Sequence, residues 1–350
     1  MIKRANSMED KEWDDFVLSH PMGSLYHHSS WKEVIKETYG YDSYDLIYRN
    51  DGNEIKGVLP LFLVKSSLTG KRLVSLPFSN VCGPLGYSPS IVKELVSSAI
   101  SLAESLSCDY VELRTQGDQN GIGALGFHQS DLYYSTIVDL NPSPSKVWSN
   151  FEDRNLRTEI RKAIRVGIKV KIDHDENDLK EFYRLLLMTR RKHGVPPQPY
   201  TFYHHLWKRM KPLDKIRLFL AEYQNEIIVG LILLLHKNTC IAAYLGSDDH
   251  YLTLRPHQLI YWKAMEWGCE NGFQHFDFLR TEKDNQGLLY FKKRWGGKEK
   301  EIPYFYYPKP MGIMAFKDKT LKYKVSSALW RRIPTFLSQW GGEILYRHFG

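Results

Sequence analysis

The chain has 350 residues, of which 43% are hydrophobic and 25% charged, and it carries a net charge of +8. This composition excludes an intrinsically disordered chain, and the length favours two domains of about 150 residues each. The positive charge favours an anionic partner: nucleic acid, a nucleotide or phosphate group, or an acidic membrane surface.

Residues 1–15 are polar and charged and lack the apolar core of a signal peptide, which predicts a cytoplasmic protein. The longest apolar run, residues 227–235, is too short to cross a bilayer and predicts a buried strand. The four cysteines, Cys82, Cys108, Cys240 and Cys269, are far apart in the chain. In a cytoplasmic setting they predict buried thiols rather than disulfides or zinc ligands.

The first half begins with helical patterns and continues with strands. We predict helices over residues 11–18, 30–38 and 91–106, and strands over 45–48, 55–64, 72–77, 108–114 and 133–140. Turn residues at 50–53 join the first two strands into a hairpin. The Pro- and Ser-rich residues 141–145 predict the linker that follows.

The second half repeats the order hairpin, strand, helix, strand. We predict helices over residues 146–166, 177–193, 202–210 and 256–271, a hairpin over 218–234 and a strand over 275–280. The hairpin residues Asn53 and Asn225 are 172 positions apart, and the strand-end residues Arg114 and Arg280 are 166 apart. The near-constant offset predicts two copies of one α/β unit. Chance similarity between short apolar strands is the alternative.

We therefore predict one domain over residues 1–145, a second over 146–310 and a basic amphipathic tail over 311–350. In the tail, cations such as Lys317 and Arg331 alternate with aromatic residues such as Trp330 and Trp340. Such a segment either lies on an anionic membrane surface or packs against its own domain, and the sequence leaves both interpretations open.

The segment 287–297 contains an unusual cation. A helix at 100° per residue places Leu288, Leu289, Phe291 and Trp295 on one apolar arc, with Lys292 near its middle. Tyr290, Lys293 and Arg294 face the other way. A lysine in the middle of an apolar arc predicts a functional cation, and the alternative is a side chain whose ammonium group reaches out to water.

The sequence has no P-loop, no Gly-x-Gly-x-x-Gly, no Gly-x-Ser-x-Gly and no His-Glu-x-x-His motif. Kinase, dehydrogenase, serine hydrolase and zincin functions therefore lose their usual support. The adjacent histidine pairs at 27–28 and 204–205 point in different directions, so we predict no metal site.

The repeated unit resembles the GNAT acyltransferases, and two units in one chain resemble the FemAB family over residues 10–308. The residues that support this resemblance are Trp31 and the segments 76–80, 83–85, 157–167, 243–246, 255–262, 276–280 and 287–297. The implied fold is α/β, with two tandem GNAT-like (acyl-CoA N-acyltransferase) domains of mixed sheet and flanking helices, followed by the amphipathic helical tail.

The resemblance implies an acyl- or aminoacyltransferase that acts on an amine of a cell-envelope or surface-glycan precursor. It implies aminoacyl-tRNA or acyl-CoA as donor and no permanently bound cofactor. A Phe-Lys pair in the closing segment of peptidoglycan-building members matches Phe291 and Lys292. Arg217 matches a position that holds the precursor's phosphates, with an ion pair to a nearby acid as the alternative.

Further substrate-binding candidates are Tyr244 and Arg280, expected at strand ends beside a cleft, together with Trp295. Arg255 lies in the loop 247–257, where GNAT enzymes hold the CoA pyrophosphate with a glycine-bearing loop. This loop has no glycine, but Arg255 is a further substrate-binding candidate, since its side chain could meet a phosphate. The basic helix that contains Arg157, Arg161 and Lys162 predicts contacts with tRNA phosphates, or else a solvated basic face.

Two departures from the family pattern affect the acceptor site. Lys32 and Lys36 do not align with the lysine that follows the first-domain tryptophan, and Leu279 stands where relatives often have glycine. The leucine predicts a narrower pocket. The alternative functions are a CoA-dependent N-acyltransferase and a non-catalytic, membrane-associated binding protein.

Overall fold

The computed structural model describes residues 1–116, 121–141, 143–172, 175–309, 342 and 345–348. The chain divides into two compact units, one formed by Met1–Tyr133 with the segment that begins at Glu301, the other by Tyr134–Lys300. The domain bounds at 145 and 310 stay predictions. Nearly all of the predicted tail, 311–350, lies outside the described residues.

The described residues form nine α-helices, four short 3-10 helices and fifteen strands. The helices are α1 (Asp10–Ser19), α2 (Ser29–Tyr39), α3 (Pro89–Ser105), α4 (Pro144–Ser149), α5 (Arg154–Arg165), α6 (Glu176–His193), α7 (Tyr200–Met210), α8 (Pro256–Glu270) and α9 (Gln286–Lys293). The strands are β1 (Ile2–Arg4), β2 (Asp42–Ser43), β3 (Leu46–Arg49), β4 (Ile55–Leu59), β5 (Phe62–Ser66), β6 (Gly70–Val74), β7 (Leu85–Gly86), β8 (Tyr110–Arg114), β9 (His128–Asp139), β10 (Lys169–Ile172), β11 (Ile216–Tyr223), β12 (Glu226–His236), β13 (Thr239–Ser247), β14 (His275–Glu282) and β15 (Lys298–Tyr307).

The first unit contains two groups of strands. Antiparallel strands in the order β1, β3, β4, β7 form a small sheet, in which β3 and β4 are the predicted hairpin. In the second group β8 lies between β15 and β6, followed by β5 and β2; β6 and β8 run parallel. Helix α3 buries Leu95, Val96 and Ala99 on this unit's core because these residues recur at helical spacing.

In the second unit the strand order is β10, β11, β12, β13, β14, β9. Strands β10 to β13 are antiparallel neighbours, and β13 and β14 run parallel. The hairpin between β11 and β12 turns at Gln224 and Asn225, which both have positive φ, as a two-residue type I′ turn requires. The core of the second unit lies between the sheet and helices α5 and α8. Helix α5 contributes Leu156, Ile160 and Ala163, one or two turns apart, and leaves its basic face outside.

Two predicted elements are each divided in two. The strand predicted over 55–64 is interrupted by Pro60, which has no N–H for a strand ladder, and β4 and β5 then join different groups of strands. The helix predicted over 146–166 is interrupted at 150–153. There the Asp153 side chain accepts a hydrogen bond from the Asn155 N–H and caps α5 as a separate helix.

Candidate functional site

The parallel strands β13 and β14 separate after a short common stretch. Their register covers three pairs, Thr239 with His275, Cys240 with Phe276 and Ile241 with Asp277. Beyond these pairs β13 continues to Ser247 and β14 to Glu282. We call residues 242–247 and 278–282 the second-unit fork. Ligands of α/β proteins bind at the carboxyl ends of strands, and this fork lies at such an end.

Lys292 of α9 is held at the start of this fork. Helix α9 begins where the Asn285 side chain caps the Leu288 N–H, and it brings Lys292 against β14 with 4% of the lysine exposed. The Nζ atom donates to the carbonyl oxygens of Phe278 at 2.7 Å and Leu279 at 2.8 Å. The interpretation of Lys292 as a side chain that reaches out to water is therefore wrong.

Burial lowers the pKa of Lys292 to about 8, and the charge of Asp277 acts in the opposite direction. Asp277 is partly buried, which raises the pKa of its carboxyl group. The Asp277 Oδ1 atom accepts hydrogen bonds from the Ser135 hydroxyl at 2.7 Å and from the Leu279 N–H at 2.8 Å. Near neutral pH Lys292 is thus mostly charged but close to its titration range.

Leu279 adopts a left-handed backbone conformation with φ of 60°. This region favours glycine, and a leucine in it costs roughly 1–2 kcal/mol. The Asp277 side chain binds the N–H of Leu279 and Lys292 binds its C=O, so both sides of the bend are held.

The predicted helix around Lys292 is confirmed, with two differences. Leu288 is 39% exposed rather than buried, and the helix ends at Lys293, before Trp295. Trp295 has no exposed surface and packs with Phe151, Tyr261 and Phe291 in the core. Its proposed contact with substrate is corrected to a packing role, since a fully buried ring offers no surface to a ligand.

Three predicted site residues lie in the fork or against it: Tyr244 and Arg280 belong to it, and Phe291 packs on it. Phe291 is partly buried and packs on Tyr261 and Phe278. Tyr244 on β13 and Arg280 on β14 lie beyond the last paired residues, and both are partly exposed. The structure therefore places these three predicted residues on the elements that form the fork or support it.

Arg217 makes the ion pair that the sequence left as the alternative. Its guanidinium group donates to Asp214 at 2.6 Å and lies over the Trp267 ring, with 12% of the side chain exposed. These contacts favour a structural role over a role in binding phosphate.

Arg255 remains accessible. It has a left-handed φ of 66°, directly before the first helical residue Pro256, and 46% of its side chain is exposed. Its guanidinium group lies 3.8 Å from Glu159, which also pairs with Arg294 at 2.6 Å. The preceding residues Asp249–Leu254 form a 3-10 helix in place of a glycine loop.

The three candidate nucleic-acid contacts on α5 differ. Arg157 donates to the carbonyl oxygens of Trp148, Ser149 and Phe151 and so caps the end of α4, which favours a structural role over a phosphate contact. Arg161 and Lys162 are exposed; the first lies over the Trp148 ring and the second binds the Thr253 carbonyl at 2.8 Å. Their role as phosphate contacts stays a prediction.

Sequence reasoning missed Asp277 and Ser135. Asp277 lay in the segment 276–280 that supported the family resemblance but was given no role in the site. Ser135 had no signal, since its role depends on a contact across 142 positions of the chain. Within the described ranges, no group of three or more His, Cys, Asp or Glu side chains could hold a metal ion. In the same ranges, no helix has both the length and the apolar character needed to span a bilayer.

The chain combines two α/β units, and the second has a splayed parallel strand pair with a buried lysine beside it. The family described as "Acetyltransferase (GNAT) domain" matches residues 152–293. A lipid II:glycine glycyltransferase from Staphylococcus haemolyticus is 23% identical over 83% of this chain and 89% of its own length. The same enzyme from Staphylococcus epidermidis is 21% identical over equal shares.

Solved structures agree with the fold. The crystal structure of FemX has a TM-score of 0.71 at 18% identity, over 88% of this chain and 97% of its own. A tandem GNAT protein from the clavulanic acid biosynthesis pathway has a TM-score of 0.56 at 12% identity, over 89% of this chain and 100% of its own. The resemblance to FemAB and GNAT-superfamily acyltransferases is confirmed, and the protein is an acyl- or aminoacyltransferase.

Proposed function

We propose that this chain transfers an aminoacyl group from aminoacyl-tRNA to an amine of a lipid-linked peptidoglycan precursor, with Lys292 as the cation of the reaction. The observation that supports this most is the buried ammonium group of Lys292 at the start of the second-unit fork. The name of the Staphylococcus relatives, lipid II:glycine glycyltransferase, supplies the classes of acceptor and group.

The chemistry needs a positive charge where an oxyanion forms. An amine that attacks an ester carbonyl places negative charge on the carbonyl oxygen, and a fixed cation in a poorly hydrated site stabilises this charge. The ammonium group of Lys292 has three N–H bonds, and two of them point at carbonyl oxygens. We propose that the third N–H binds the oxyanion. The amine proton leaves with the 3′-oxygen of the tRNA, so atoms and charge balance.

Two features of the second unit favour aminoacyl-tRNA over acyl-CoA as donor. The loop 247–257 has no glycine, and the helix behind it begins with Pro256, which has no N–H to offer a pyrophosphate. The exposed cations Arg161 and Lys162 suit the phosphates of an acceptor stem, where affinity falls steeply with salt.

A donor assay tests the proposal directly. Purified protein is incubated with lipid-linked precursor and either aminoacyl-tRNA or acyl-CoA, and the acceptor is analysed by mass spectrometry. We expect a mass increase of one amino-acid residue with aminoacyl-tRNA only. Transfer from acyl-CoA alone would instead support the second candidate, a CoA-dependent N-acyltransferase, which the GNAT-domain match over residues 152–293 favours.

A lipid-linked acceptor requires the enzyme to work at the inner face of the membrane. The basic, tryptophan-bearing residues 311–350 suit an anionic lipid surface. We expect the full chain to float with vesicles that contain anionic lipid, and a chain that ends at Pro310 to lose most of this binding. Equal flotation of both chains would remove the tail from membrane contact.

A further inference from the structure

Each unit places a carboxylate at the last pair of its parallel strands. In the first unit the register of β6 and β8 ends with Val74 and Glu112, and in the second that of β13 and β14 ends with Ile241 and Asp277. The two carboxylates therefore occupy corresponding positions, and their surroundings can be compared unit by unit.

The carboxylate of the first unit, Glu112, forms an ion pair with Arg114 two residues further along the same strand. The Arg114 guanidinium group donates to Glu112 at 2.7 Å and to the carbonyl oxygens of Leu76 and Ser79 at 3.1 Å each. Glu112 is completely buried. This arginine joins the acid to the segment that follows β6, which is a purely structural arrangement.

The carboxylate of the second unit has no such partner. Within the described residues, no cation lies within ion-pair distance of Asp277, and its Oδ1 atom binds only the Ser135 hydroxyl and the Leu279 N–H. The nearby cation, Lys292, donates to backbone carbonyls instead. A carboxylate held only by neutral donors keeps its charge uncompensated, so the charge of Asp277 can act on Lys292.

We propose that Asp277 is a positioning residue for Lys292, because it fixes the backbone bend whose carbonyls hold the ammonium group and places a negative charge near that group. This inference rests on the proposed function in one respect, the role of Lys292 in the transfer reaction. The position and charge state of Lys292 can be measured without turnover.

The two effects of Asp277 act through different atoms. The Oδ1 atom holds the N–H of Leu279, and the carbonyls on either side of that N–H, those of Phe278 and Leu279, bind Lys292 Nζ. The charge of Asp277 opposes the effect of burial on the pKa of Lys292, while Lys300 acts in turn on Asp277. From α8, the neighbouring phenol is Tyr261, whose pKa burial raises, so it stays neutral.

Asp277→Asn separates these effects, since the amide oxygen still accepts from Leu279 and Ser135 but has no charge. The free energy of unfolding is measured against pH for the wild type and for Asp277→Asn. Each is compared with the same chain that also carries Lys292→Met. The pKa of Lys292 is about 8 in the folded chain, against an ordinary value of 10.5. Between these two pH values the unfolded chain therefore binds more protons than the folded chain. Stability relative to the Lys292→Met chain therefore rises with pH across this window.

With Asp277→Asn, we expect this rise to begin at lower pH and to be larger. The transfer rate gives a second readout: its alkaline limb moves to lower pH, with about a tenfold loss for each unit of pKa that the lysine loses. Asp139→Asn is the matched control, because Asp139 is exposed and its Oδ1 atom likewise accepts from the N–H two residues on, at 2.9 Å. It leaves both curves unchanged.

The quantity compared is the stability of each chain relative to its Lys292→Met counterpart, plotted against pH. If the curve with Asp277→Asn superimposes on the curve without it, the proposal is overturned, whatever donor the enzyme uses. If Asp277→Asn does not fold, Asp277→Ser provides a second uncharged variant that can still bind the Leu279 N–H. Absence of transfer from every donor, together with the expected shift in stability, would contradict the proposed function alone.

Discussion

Replacement of Lys292 by methionine lowers the transfer rate by about 10²–10³-fold, the loss that follows removal of one oxyanion-stabilising group. Methionine fills most of the lysine's volume beside β14 but brings no charge and no N–H donor. The loss should appear in kcat, because the oxyanion exists only in the transition state. Steady-state kinetics with aminoacyl-tRNA and lipid-linked precursor measure it.

The same change has a small effect on stability because two contributions oppose each other. Loss of Nζ leaves the carbonyls of Phe278 and Leu279 without this donor, which costs about 1–3 kcal/mol each where they stay unpaired. Removal of the buried charge returns about 3 kcal/mol, since burial lowers the pKa of Lys292 from 10.5 to about 8. We expect the melting temperature to stay within about 5 °C of the wild-type value.

Lys293→Met is the matched control, because Lys293 is the next residue of the same helix and is exposed. It should retain full activity. A Lys292→Met enzyme with wild-type kcat would remove this lysine from the reaction. A large fall in melting temperature for Lys292→Met alone would indicate that the side chain mainly supports the fold.

The sequence predicted those features that depend on local pattern. Lys292 was identified because one cation interrupted an apolar arc, and the structure buries it as that arc requires. The two hairpins followed from turn residues and alternating strands, and both are present. The ion pair between Arg217 and Asp214 joins residues three positions apart. A pair with a nearby acid could therefore be foreseen from the sequence as the alternative to phosphate binding.

What the sequence missed depends on contacts between distant residues. Burial of Lys292 does not reveal its acceptors, two carbonyls 13 and 14 positions earlier. Arg157 is one of several cations on a basic helix, and only its proximity to the end of α4 shows that it caps carbonyls. Trp295 was assigned to a helix that in fact ends at Lys293, and boundaries of short helices are hard to predict.

A second large effect is expected at Gly246, on the part of β13 that lies beyond its pairing with β14. A Cβ atom there would lie 2.4 Å from the Leu186 N atom and 2.8 Å from the Leu185 carbonyl carbon. Both neighbours belong to the backbone of α6, so no side-chain rotation can relieve the clash and the whole helix has to move.

Gly246→Ala should therefore destabilise the protein by about 3 kcal/mol, at the upper end of typical overpacking costs. The melting temperature should fall by roughly 6–12 °C, as measured by scanning calorimetry. Gly287→Ala is the control, since a Cβ atom at Gly287 meets nothing within 4 Å and alanine favours the helix by up to about 1 kcal/mol. Equal melting temperatures for the two variants would mean that α6 does not lie this close to β13. The expected difference would instead show that close contact with α6 supports the strand bearing Tyr244.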